Sequence, residues 1–169
     1  MGILKTAGDF ITGEYKEAAV DVFNLIMGWK FFFETEVVVG IPEESNVADG
    51  EGWTTAGLLY FHEQGCPAAH IPPRPVLEPA LAQEGVKGDI EEYMARGAYY
   101  ALVEGDVEKA TECYEKAGML GRDAVKDYIM AAKVAPNAPS TIARKGSSIP
   151  LVQYGVMVGS INYAVRKKK

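Results

Sequence analysis

The 169-residue chain is 48% hydrophobic and 24% charged, ordinary proportions for one globular domain with a real core. Its net charge of −6 argues against a general nucleic-acid binder, and its two cysteines, Cys66 and Cys113, make no disulfide framework that would point to secretion. No apolar run approaches the ~20 residues of a membrane span, and the N-terminus shows no long apolar leader, so neither a span nor a signal peptide is expected.

Residues 1–13 are weakly patterned. From Gly13 to Trp29 the apolar positions Tyr15, Ala18, Ala19, Val22, Phe23, Ile26 and Met27 recur at three- and four-residue spacing. This predicts an amphipathic helix ending near Gly28, within an N-terminal helical segment 1–29. Lys30 to Ile41 is aromatic and β-branched, which predicts a strand ended by Pro42. Glu43 to Gly52 reads as a loop. Trp53 to Gln64 predicts a helix, with Thr54 or Thr55 as its cap and Gly65 as its stop.

A Pro-rich strap, 66–80, follows. Pro72, Pro73, Pro75 and Pro79 fix φ, remove backbone donors and push the preceding residues to extended geometry. Such a segment cannot pair in the middle of a sheet. Its single cation, Arg74, makes it a stiff strap with one charged hook, suited to lie on its own domain or on a neighbour. Val76 to Gln83 predicts a short helix with Pro79 in its first turn.

Gly88 to Glu104 and a second helix capped by Asp106 carry the clearest helical periodicity, predicting an antiparallel hairpin over about 88–132 with its corner at Gly105. Pro136 and Pro139 close the helical region, and 133–157 reads as an extended loop with a basic stretch from Thr141 to Ser148. Val158 to Val165 alternates, placing Gly159, Ile161, Tyr163 and Val165 on one face, and predicts a final strand over about 158–166. Its length suits pairing with 30–41. The basic end, Arg166-Lys167-Lys168-Lys169, reads as a solvated tail. The expected fold is one α+β domain, 1–169: a small antiparallel sheet from the two ends of the chain, with helices inserted between.

Chemistry-bearing clusters are sparse. His62, Cys66 and His70 form the one metal-like group, but Gly65 and Pro67 break the helix that would align them, so no metal site is expected. The acidic pairs Glu43-Glu44, Glu91-Glu92 and Asp106 with Glu108 read as solvated faces or helix N-termini. Arg144-Lys145-Gly146-Ser147-Ser148 lacks the glycine spacing of a phosphate loop. No cofactor is expected. The run Gly105 to Ala117, preceded by Ala98-Tyr99-Tyr100, is similar to one tetratricopeptide repeat. Such repeats need about three copies to bury a core, and no second copy is present.

Four pieces in order resemble the neck or tail-completion proteins of tailed bacteriophages. They are Val38-Val39-Gly40-Ile41-Pro42-Glu43, Tyr60-Phe61-His62-Glu63-Gln64-Gly65, Ile71 to Ala80, and Thr141 to Ser148 continued by Pro150-Leu151-Val152-Gln153-Tyr154-Gly155 and Ser160-Ile161-Asn162-Tyr163. The resemblance spans about residues 37–165. The family's Asp-Thr-Gly is here Gln153-Tyr154-Gly155, and its aromatic after Arg-Pro is Val76. The resemblance implies a non-enzymatic virion component of the neck, made in the host cytoplasm. It would assemble with itself as a ring around the DNA channel and meet connector or head-closure and tail proteins. DNA would pass without sequence-specific binding. On this reading Pro72, Arg74 and Pro75 are expected to dock the strap on a partner, and Arg144, Lys145 and Tyr154 to lie in an interface loop. The alternative is a helical-hairpin adaptor of tetratricopeptide type.

Overall fold

The computed structural model describes residues 13–48, 52–146, 148–152 and 155–168. The first element, α1, runs from Gly13 to Glu34. It passes through Gly28 and absorbs Lys30 to Glu34, which the sequence assigns to a strand. Tertiary packing decides the matter over the β-preference of aromatic residues. The Phe31 ring lies 5.2 Å from that of Tyr114, and Trp29 and Phe33, one turn apart, lie 5.9 Å apart. Gly28 is not a stop. A Cβ there would run into the carbonyl oxygen of Ala101, so glycine lets α1 cross that backbone closely.

The strand β1 is therefore only Thr35–Gly40, and it pairs antiparallel with β2, Asn162–Lys167. The register runs from Thr35 opposite Lys167 to Gly40 opposite Asn162. The expected pairing of the chain's two ends is present, but the second strand starts later than expected. Val156–Ser160 forms a short helix, α7, in which the Ser160 hydroxyl donates to the Val156 carbonyl at 3.0 Å.

A two-stranded sheet is marginal alone and needs a surface to lie on. That surface is α5, Val107–Met130. Val39 and Tyr163 are directly opposed across the strands. Both press on α5 where it lacks side chains: Tyr163 over Gly118, and Val39 over Gly121. The outer face of the sheet is mixed, with Val38 opposite Ala164 and the Arg166 Nε 3.0 Å from Glu36 Oε1.

Helix α4, Glu84–Tyr99, and α5 form the predicted hairpin. A π-helical turn, Tyr100–Glu104, ends α4, and Gly105 turns the corner with φ 66°. Asp106 caps α5, accepting from the Lys109 amide at 2.9 Å. Helix α2, Thr55–Gln64, starts at the expected cap, with the Thr54 hydroxyl accepting from Gly57 N at 3.1 Å, and stops at Gly65. Helix α3 is Leu77–Leu81.

The core joins these elements at the C-terminal end of α5. Leu59 of α2, Val76 and Ala80 of the strap and α3, Val125 and Ile129 of α5, and Met157 and Ile161 form one buried cluster. The segment expected as an extended loop contains a helix, α6, Pro139–Lys145. Pro139 sits in the first turn, where its missing N–H is harmless, and Gly146 closes the helix at φ 68°. Thr141 to Lys145 are thus helical and not loop.

Candidate interaction surfaces

The strap is tied down along its length. Cys66 and Ile71 exchange backbone hydrogen bonds of 2.9 and 3.0 Å. The Arg74 amide donates to the His62 carbonyl at 2.7 Å. Glu63 Oε1 accepts from the amides of Val76 and Leu77 at 2.8 and 3.0 Å, satisfying donors at the start of α3. One carboxylate on α2 thereby holds the end of the strap.

Arg74 points inward and is only 7% exposed. Its Nε donates to the Ala135 carbonyl at 2.8 Å, and its Nη2 to the Pro136 carbonyl at 3.1 Å. Burial lowers the pKa of the guanidinium. The hook therefore engages the chain's own 133–137 segment, the first of the two surfaces the sequence allows for it, and is not displayed to a neighbour. Pro72 and Pro75 stay exposed on the strap's outer side.

Arg144 is exposed on α6. Lys145 ends that helix. Tyr154 lies outside the described residues. Arg74 thus links the strap to the segment that leads into α6, which connects the two expected interface regions through the backbone.

A broad apolar surface on α1 is one the sequence reading did not single out. The described side chains of α1 are apolar nearly all round. Leu25, Phe31 and Phe32 are half-buried and Gly28 is buried, while Val20, Val22, Phe23, Ile26, Met27, Trp29 and Phe33 are 39–60% exposed. A helix apolar on every side is one whose outer faces belong inside something. The signal was legible: between Ala19 and Phe33 the polar residues are Asp21, Asn24 and Lys30.

A second apolar surface lies at the far end of β1. An open depression of about 290 Å³ is lined by Gly40, Ile41, Ala56, Leu59, Tyr60, Glu63, Gln64 and Leu77. Tyr60 beside it is 71% exposed, and Trp53, whose ring lies 5.7 Å from that of Phe61, is 48% exposed. It falls at the lower limit of small-molecule sites and carries few converging polar groups.

His62 and Cys66 are half-buried and His70 is exposed. Among the described residues no group of three or more His, Cys, Asp or Glu is placed to hold a metal ion. Among the same residues no helix is long and apolar enough to cross a membrane. Comparison with protein-family models, curated proteins and solved structures finds no match.

Proposed function

We propose that the chain is a non-enzymatic structural subunit of the neck of a tailed bacteriophage, a tail-completion or head–tail joining protein. Copies of it form a ring around the DNA channel and link the connector to the tail. DNA passes through without sequence-specific binding.

The observation that carries this reading is the exposed apolar helix α1, which is suited to burial between subunits. The four ordered motifs of the sequence supply the family to which such a subunit would belong. The Pro-rich strap and the α6 segment, joined by Arg74, present Pro72, Pro75 and Arg144 on the outside, available to connector or tail proteins. The adaptor reading is weaker. A tetratricopeptide array stacks hairpin on hairpin, whereas here the sheet occupies the face of α5 at Gly118 and Gly121.

Deleting the gene from the phage genome that carries it tests the reading. Electron microscopy should then show heads and tails that fail to join. Complete virions from the deletion strain would overturn it.

A further inference from the structure

We infer that α1 is the contact a copy makes with its neighbour, seated head-to-tail against the Trp53–Tyr60 surface of the next copy. This rests on the ring reading above and adds which surfaces meet.

The first support is area. The exposed apolar side chains of α1 present on the order of 700 Å² at ~150–250 Å² per large side chain, close to the ~800 Å² that each partner buries in a standard interface. One helix therefore offers nearly a full interface.

The second is position. α1 lies at the N-terminal end of α5, where Phe31 meets Tyr114, whereas the depression sits over the core cluster that holds Val125 and Ile129. Eleven or more residues at 1.5 Å rise place the two roughly 16 Å or more apart along α5. A two-fold dimer uses one self-complementary patch twice. Two different apolar patches set apart on one molecule make a heterologous contact, which propagates head-to-tail and gives a ring where the rotation between copies closes.

The third is shape and charge. The depression, about 290 Å³, has room for one large aromatic side chain, and α1 displays Phe23 and Trp29 outward. A helix that lies on lipid carries a basic polar face. From Ala19 to Glu34, α1 has one lysine, Lys30, against Asp21 and Glu34, so a protein surface suits it better.

The experiment mixes two variants of the full chain, Phe23→Asp on α1 and Tyr60→Asp on the other surface, and reads mass by light scattering. Both residues are more than half exposed, so each variant should keep the wild-type circular dichroism; Ile26→Asp replaces Phe23→Asp if that variant misfolds. Wild type should form oligomers, and each variant alone should remain at 18.3 kDa. The mixture should stop at twice that mass, because one intact α1 meets one intact Tyr60 surface. Tyr60→Asp protein that still dimerises with itself, a mixture that stays monomeric, or a wild type that stays monomeric both alone and with purified head connector, or that binds lipid vesicles through Phe23, would each overturn the inference. An oligomeric wild type with a monomeric mixture removes these surfaces and leaves the ring standing. The deletion phenotype decides the neck reading separately.

Discussion

The guanidinium of Arg74 donates from Nε to the carbonyl of Ala135 at 2.8 Å, across 61 residues of sequence. With a second bond from Nη2 to the Pro136 carbonyl at 3.1 Å, it pins the strap to the segment that leads into α6. Arg74→Ala removes both donors and leaves two carbonyls poorly paired. A loss of about 2–3 kcal/mol in urea unfolding is expected, since hydrogen bonds to charged groups are each worth ~1.5–3. Arg74→Lys should recover only part of it, because an ammonium cannot reproduce the planar fork. An exposed hook would instead lose assembly and keep stability.

Gly28 is the crossing point of α1 over the π-helical turn. Gly28→Val should drive a side chain into the Ala101 carbonyl and lift α1 off its seat. The expected result is protease cleavage within 13–34 and a red shift of Trp29 emission, while the α4–α5 hairpin stays protected. Overpacking of this kind costs about 1–3 kcal/mol. Unchanged proteolysis would show that the crossing has slack.

Gly118 lets the Tyr163 ring lie on α5. Gly118→Ala should displace that ring and destabilise the protein by about 1–3 kcal/mol. In the Tyr163→Ala background the same change should cost clearly less, because the ring clash is gone and only the tight Cβ contact at 3.1 Å remains. A double-mutant cycle with no coupling would contradict the contact.

Asp106 gives the sequence its acid-sensitive cap. The hydrogen bond from the Lys109 amide, with the Lys109 side chain, holds its carboxyl below the ordinary value. A carboxyl depressed in the folded state adds stability above its unfolded pKa of ~3.9, and that stability fades as pH falls through the folded value. Melting temperature should therefore drop below about pH 4–5, and Asp106→Asn, which still caps but does not titrate, should flatten that part of the curve. An unaltered acid limb in Asp106→Asn would assign the loss to other carboxyls.

Much of the fold was legible wherever a local signal had no rival. Thr54 and Gly65 bracket α2, Asp106 opens α5, and the alternation around Ile161, Tyr163 and Val165 marks the strand that pairs with the other end of the chain. The boundary between α1 and β1 was not legible, because Phe31-Phe32-Phe33 suits a strand or a helix, and Tyr114, 83 positions from Phe31, decides it. The helix α6 was hidden by its basic, polar composition, although Pro139 and Gly146 are ordinary start and stop residues. The strap's stiffness could be read from its prolines. The direction of Arg74 could not, since its acceptors are backbone carbonyls far along the chain. The exposure of α1 was written in its all-round apolar pattern and needed only the observation that little of the described chain covers it.

The most direct test is the mass of the full chain in solution, measured by light scattering at high concentration, alone and with purified head connector. The account predicts a closed multiple of 18.3 kDa, reached either alone or on the connector. A chain that remains a monomer in both conditions would contradict it.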